Sequence, residues 1–212
     1  MSTNDKSYFD IDIDLSEDIA SGFLTDLFLI KDLQQRKIYI DSDIDQYSIE
    51  DPVKYIMQFN REDRGKPVEE RQPILIYITS RGGSVDDGFE LIDAIENSKT
   101  PVYTINLGFQ YSMGFLIGIA GHKRYGTKNA KYLLHDGSNF AWGTSAKIQD
   151  QMEFQKKVEQ RIKDHILRHS KLTSDEYEAK YRIEWYMYAD EAKEKGFVDY
   201  IIGEDCDIDE VI

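Results

Sequence analysis

A single cysteine, Cys206, leaves this chain of 212 residues no partner for an intrachain disulfide, and that composition suits a reducing compartment. Prolines are few, four in all, and neither an internal repeat nor a low-complexity tract breaks the chain into parts. Long apolar runs are missing as well. Phe23 to Ile30 is interrupted by Thr25 and Asp26 and is too short to span a bilayer, and no basic segment followed by an uninterrupted apolar one stands at the start. The chain also lacks a basic stripe, so phosphate neutralisation, and with it nucleic acid, is excluded as a mode of binding. A soluble, cytoplasmic protein without a membrane partner is the expectation.

The formal charge of -14 is unevenly spread. Residues 1–35 hold eight acidic and two basic groups, and residues 204–212 hold five acidic and no basic ones, so the acidity belongs to the ends and the body between them is nearly balanced. This divides the chain into an acidic N-terminal segment, axial or flexible, over 1–35, a globular domain over 36–203 and an acidic, solvated tail over 204–212. With 41% hydrophobic residues the domain is long enough to enclose one core.

Periodicity supplies the elements. Tyr8 to Leu15 alternates apolar and acidic residues, as a strand or an arm would, and Leu24, Leu27, Phe28, Ile30 and Leu33 suit a short amphipathic helix. Lys37 to Ile40 is strand-like, and Asp51-Pro52 followed by Val53, Ile56, Met57 and Phe59 predicts a helix with proline in its first turn. Ile74 to Ile78 is an unbroken apolar run, expected of a strand covered on both faces. It runs into Thr79-Ser80-Arg81-Gly82-Gly83-Ser84 and a helix with Ser84 and Asp87 as a capping box. A second strand, Pro101 to Leu107, leads to the small-residue turn Gly108 to Gly114 and the apolar run Phe115 to Ala120. Two successive βα units imply a parallel sheet with both turns at its carboxyl edge, so the Gly82-Gly83 turn and Ser112 should be neighbours. Lys131 to Leu134 forms a further strand that delivers His135. Ser145 to His169 predicts a helix of about seven turns, longer than a compact domain needs, which projects toward another subunit. Thr173 to Glu176 starts a short helix, Ala189 to Lys195 is helical up to Gly196, and Phe197 to Ile201 closes the sheet.

Ser112 on its turn resembles a nucleophile elbow. A serine hydroxyl needs a base and an oxyanion site before it reacts, and a serine ahead of a helix otherwise serves as a cap. His135 is the base within reach of the pattern and Glu184, ahead of the aromatic segment Trp185 to Tyr188, the acid. His165 and His169 lie one turn apart on the long helix, but Ile166-Leu167-Arg168 between them lacks the glutamate of a zincin helix and no third ligand is apparent. They read as solvated, and no metal site is expected.

Four segments together resemble the Clp protease proteolytic subunit (ClpP) family over about residues 36–203. Thr79 to Val85 is similar to that family's Asn-Ser-Pro-Gly-Gly-Ser-Val turn, and Tyr111-Ser112-Met113-Gly114 to its Ala-Ser-Met-Gly elbow. Leu134-His135 resembles its Ile-His strand end. Glu184 to Ala192, continuing to Gly196-Phe197-Val198-Asp199, is similar to its catalytic-aspartate segment. The resemblance implies an α/β fold of the ClpP/crotonase type, built of ββα units around a parallel sheet, with the long helix as a projecting handle. It makes Ser112 the nucleophile, His135 the base, Glu184 the acid, and the N–H groups of Gly83 and Met113 the oxyanion hole. Gly137, Ser138 and Asn139 would begin a strand along which extended peptide pairs, and no cofactor is needed, ATP being used by a partner.

Implied partners are copies of this chain in heptameric rings, a second ClpP-like subunit, an AAA+ unfoldase and unfolded protein substrates. The function implied is that of a serine endopeptidase subunit of a self-compartmentalised ring protease. Two alternatives accompany it: a non-catalytic or conditionally active ring subunit, and a crotonase-type enzyme acting on acyl-CoA. The chain departs from the family pattern in having Glu184 for aspartate, Ile183 for a basic residue, Arg81 for the turn proline and Asp136 for a neutral residue.

Overall fold

The computed structural model describes residues 21–137 and 141–211, with side chains from Leu27 onward. The alternating segment Tyr8 to Leu15 lies outside them, as do Ser138 and Asn139. A five-stranded parallel sheet runs in the order β1-β2-β3-β5-β8, from strands β1 (Lys37–Ile40), β2 (Ile74–Ile78), β3 (Val102–Asn106), β5 (Lys123–Thr127) and β8 (Tyr200–Ile202). A second sheet, β4-β6-β7, pairs β4 (Phe109–Tyr111) parallel with β6 (Lys131–Leu134) and β6 antiparallel with β7 (Trp185–Tyr188). All five residues of β2 are buried, as its unbroken apolar run requires of a strand enclosed on both faces.

Helices cover one face of the large sheet. They are α1 (Ser21–Gln34), α2 (Gln46–Glu62), α3 (Val85–Glu96) and α4 (Met113–Ile119), followed in the chain by α5 (Ser145–Arg168), α6 (Ser174–Lys180) and α7 (Ala189–Glu194). Their inward stripes, with Leu33, Ile49, Ile56, Phe59, Leu91, Ile95 and the whole of α4, form a single core with the alternate residues Ile38, Ile40, Ile74, Ile76 and Ile78 of the strands. The opposite face carries Leu75, Tyr77, Ile105, Tyr125 and Ile202, closed by Val211 from the C-terminal end. Val211 is buried there, and the Tyr77 hydroxyl donates to its carbonyl, while the acidic residues Glu204, Asp205, Asp207, Asp209 and Glu210 before it are exposed. Among the described residues no helix is long and apolar enough to cross a membrane.

Three local expectations are corrected. Helix α2 begins at Gln46, well before Pro52, because Asp45 caps it: its carboxylate accepts the N–H groups of Tyr47 and Ser48, and the Ser48 hydroxyl accepts the Asp45 N–H. Such a reciprocal box outweighs the preference of proline for a first turn, and Pro52, sitting inside the helix, forgoes its bond to the Ser48 carbonyl. The strand before the elbow is not β3 but the three-residue β4, which belongs to the second sheet. The cap of α3 is the Ser84 half of the expected box, its hydroxyl accepting the Asp87 N–H.

The long helix matches its expected span. Its first five turns are mostly exposed, including Met152 and Phe154, and burial is confined to His165 and Ile166 near its end. It leaves the domain like a beam fixed at one end.

Candidate active site

The site forms where the two sheets meet. After β2, the Ser80 N–H donates to the Phe109 carbonyl at 3.1 Å and the Ser80 carbonyl accepts the Tyr111 N–H at 2.9 Å, a one-residue bridge that lays this turn along β4. The Ser80 hydroxyl accepts the Gly82 N–H at 3.1 Å. On the other side Ile44 brackets Gly83: the Ile44 N–H donates to the Gly82 carbonyl at 2.8 Å and its carbonyl accepts the Ser84 N–H at 2.7 Å. That pattern turns the N–H of Gly83 itself away from Ile44.

Both glycines are dictated by this crowding. Gly82 has φ +103°, and a Cβ there would stand 2.6 Å from Ser112 Cβ and 2.9 Å from the Tyr111 carbonyl oxygen. Gly83 has φ +151°, with the Ile44 carbonyl oxygen 2.2 Å from the place a Cβ would occupy. The glycine turn and Ser112 are thus in contact, as expected, through the bridge of Ser80 to β4. A Gly82→Ala chain is expected to push Ser112 aside by the scale of ~1 Å and lower the rate of any reaction at its hydroxyl by about a hundredfold. Labelling kinetics with a serine-directed fluorophosphonate check this, and an unchanged rate would refute the contact.

Ser112 has φ 52° and ψ -122°, a conformation that costs a non-glycine residue roughly 1–3 kcal/mol and persists only when its surroundings enforce it. Here its N–H donates to the Leu133 carbonyl of β6 at 3.0 Å, while its carbonyl accepts from Phe115 and Leu116 as α4 begins. The hydroxyl makes no cap bond to that helix, so the capping reading of this serine is set aside. Met113 is the first residue of α4, and its N–H has no partner within the helix.

His135 directly follows β6, and Glu184 directly precedes β7. The antiparallel register pairs Leu133 with Tyr186 and Leu134 with Trp185, so His135 and Glu184 are the next residues beyond the last pair, at the same end of the sheet. Tyr111 pairs with Leu133 on the other flank, and Ser112 comes next. All three residues therefore leave the same end of the three-stranded sheet. Nε2 of His135 is buried with no hydrogen-bonding partner among the described residues, an arrangement that is costly unless a partner arrives. The exposed Glu184 carboxylate accepts from the Tyr186 hydroxyl at 3.0 Å, a bond that raises the Tyr186 phenol above its ordinary pKa. No hydrogen bond links Ser112, His135 and Glu184 to one another among the described residues.

A chain of rings flanks this edge, which sequence reasoning missed. The Tyr186 ring meets that of Tyr111 edge-on at 5.8 Å, Tyr111 lies 5.1 Å from Phe109, and the Arg81 guanidinium sits 5.4 Å above Phe109. Two of the four departures from the family pattern, Arg81 and Glu184, stand at the two ends of this chain of rings, Glu184 through its bond from Tyr186. Arg81, in the place of the turn proline, stacks on the strand that bears the elbow. Gly137 is exposed beside Asp136.

His165 and His169 are not solvated. His165 is buried, and the two imidazoles converge with Glu96, at the end of α3. No spacing in the sequence signals Glu96, because the contact is made by tertiary packing between α3 and α5.

A serine on a strained strand-to-helix turn, beside a glycine turn at the edge of a parallel sheet, is the framework of a serine hydrolase. The Clp protease family model matches residues 26–205, and the chain belongs to that family. Its relatives include ATP-dependent Clp protease proteolytic subunit 2 of Treponema pallidum (strain Nichols), 27% identical over 184 residues that cover 86% of this chain and 89% of that protein. ATP-dependent Clp protease proteolytic subunit 1 of Streptomyces avermitilis is 32% identical over 176 residues, covering 80% of this chain and 76% of that protein.

Proposed function

We propose that this chain is a serine endopeptidase subunit in which Ser112, His135 and Glu184 act as a triad. The observation that carries the reading is Ser112 itself: strained, without a cap bond, and leaving the same sheet edge as an imidazole whose buried nitrogen is unpaired among the described residues. Ser112 Oγ attacks the scissile carbonyl while His135 Nε2 takes its proton, then returns it to the leaving amine; water repeats the cycle on the acyl-enzyme. Glu184 orients the ring through Nδ1 and stabilises the imidazolium. Tyr186 engages Oε2 of Glu184, and we assign Oε1 to the imidazole. The N–H groups of Gly83 and Met113 receive the oxyanion, and the segment starting at Gly137, Ser138 and Asn139 pairs with extended peptide by main-chain bonds.

The relatives' names carry the wider reading: a proteolytic subunit of an ATP-dependent protease. We assign the chain to homo-oligomeric, heptameric rings that receive unfolded protein from an AAA+ unfoldase and accept a second ClpP-like subunit, with the proteolytic step itself using no cofactor. The body over 36–203 is the protease unit. The exposed first turns of α5, with Met152 and Phe154, support assembly through the handle. Sedimentation at micromolar concentration is expected to show a ring rather than a 24.7 kDa monomer; a monomer under every salt and pH condition would refute the chambered reading.

The decisive test of the chemistry is covalent labelling. A fluorophosphonate is expected to modify Ser112 and no other serine, located by mass spectrometry of the digested adduct, with peptidase activity lost in proportion. Silence at Ser112 in the assembled protein would favour the non-catalytic ring subunit.

A further inference from the structure

Glu96, His165 and His169 bring three potential ligand atoms within 4.8 Å of one another. His165 Nε2 lies 2.9 Å from the Leu116 carbonyl oxygen. A carbonyl only accepts, so Nε2 carries the proton, and in the neutral ring Nδ1 carries the lone pair. That lone pair faces Glu96 Oε1 at 3.2 Å. Two acceptors held so close need a cation between them. Either a proton on Nδ1 or a metal ion fills that place. The Arg168 guanidinium is 3.5 Å from Nδ1, and it is already committed to both Glu96 oxygens at 2.8 and 3.1 Å.

We propose that Glu96, His165 and His169 form a zinc site, binding one Zn²⁺ through the Glu96 carboxylate, His165 Nδ1 and His169 Nε2, with a water as fourth ligand.

Two imidazoles and a carboxylate are a ligand set zinc accepts. Ligand atoms about 2.0–2.1 Å from a tetrahedral zinc stand about 3.4 Å apart, close to the 3.2 Å between His165 and Glu96 and somewhat wider than the 2.8 Å between His169 Nε2 and Glu96. The His169 ring binds after its proton moves to Nδ1, a change of tautomer without net loss of a proton. The Leu116 carbonyl performs for His165 the part of an outer ligand, fixing tautomer and ring plane. Access comes from a recess of about 1000 Å³ lined by Glu96, Gly121, Arg124, Arg168, His169 and Ser170. Arg168 is the competitor for Glu96, and its side chain, 57% exposed, can swing into solvent. Bound zinc ties the end of α5 to the end of α3.

The test is metal uptake by the assembled full-length protein, with Co²⁺ as spectroscopic probe and Zn²⁺ in competition with a chromogenic chelator. One Co²⁺ per chain with the intense visible absorption of a four-coordinate ion, displaced by Zn²⁺, is expected. His169→Gln and Glu96→Gln should each weaken Zn²⁺ by at least about a hundredfold, while Arg168→Ala should tighten it, a gain that a merely structural ion-pair network would not give. Circular dichroism identifies any variant that fails to fold, and the Arg168→Ala gain remains a readout if both glutamine variants do. Absence of uptake in the parent chain, or uptake unchanged in a folded His169→Gln or Glu96→Gln protein, would overturn the site. Fluorophosphonate labelling of Ser112 is read separately, so failure of one assignment leaves the other standing.

Discussion

A Ser112→Ala chain is expected to lose about a millionfold in peptide turnover and a Glu184→Gln chain about a hundredfold to ten-thousandfold, the scales found when a triad nucleophile is removed or its acid neutralised. The two effects differ in origin. Removing the hydroxyl deletes the covalent step; replacing the acid leaves nucleophile and base in place but frees the imidazole to adopt the wrong tautomer. Glu184 carries a constraint of its own, since its Oε2 already accepts from Tyr186, whose ring rests against Tyr111, the neighbour of Ser112. Tyr186→Phe should therefore move turnover less than Glu184→Gln and in the same direction, by loosening the carboxylate without discharging it. Ring assembly, followed by sedimentation, is expected to be intact in all three. Wild-type turnover in Glu184→Gln alongside a dead Ser112→Ala would remove Glu184 from the triad and make Asp136, which directly follows His135, the next acid to test.

How much of this was legible beforehand varies with the range of the interaction. The enclosed run Ile74 to Ile78 and the long helix expected over Ser145 to His169 follow from local period, and the structure agrees; the glycine turn does meet Ser112, but through β4 of the second sheet rather than through two units of one sheet. Strand β4 escaped because three residues are too few to show a period, and β5 because it opens with Lys123 and Arg124 and carries Gly126. The start of α2 was misjudged by weighing Pro52 above Asp45 and Ser48, whose reciprocal bonds are a stronger stop signal for the preceding chain. At the site, the sequence singles out Ser112 by its turn, His135 by its strand end and Glu184 by its place ahead of the aromatic segment and by the family resemblance; the relation of Glu184 to His135 depends on the register of β6 with β7, which leaves no sequence signal.

The second large effect concerns a pair that no pattern announced. Asp63, fully buried, accepts from Arg36 Nη1 at 2.5 Å and Nη2 at 3.0 Å, from Lys66 at 2.9 Å and from Thr100 at 3.0 Å. Burial alone would push this carboxyl up, but the bonds from Arg36, Lys66 and Thr100 outweigh it and hold the pKa well below the ordinary carboxylate value. A depressed folded-state value means stability that is present above the unfolded pKa, near 4, and lost as pH falls through the folded one. Asp63→Asn is expected to destabilise the chain by about 3–5 kcal/mol at neutral pH, because it removes the buried bidentate countercharge and leaves the Arg36 guanidinium the Gln72 carbonyl at 2.9 Å and Glu62 at 3.7 Å. Its denaturation midpoint should also respond less to acid than that of the parent. A chain carrying Arg36→Met with Asp63→Leu should recover most of the loss, whereas equal loss in the single and double variants would show that shape rather than charge pairing sets the cost.

The arrangement of α5 has a mechanical consequence. Its 24 residues make a rod of about 36 Å, and its buried residues, His165 and Ile166, stand at one end while the opposite end is exposed. Rotation of about 5° at that root carries the tip through about 3 Å at this length, roughly the reach of a hydrogen bond. Lateral stiffness at the tip is set by packing far behind it, around Ile162, Ile166 and Leu167. A neighbour that grips the first turns of this rod thus holds the long arm of a lever whose fulcrum lies against α4, the helix that begins one residue after Ser112.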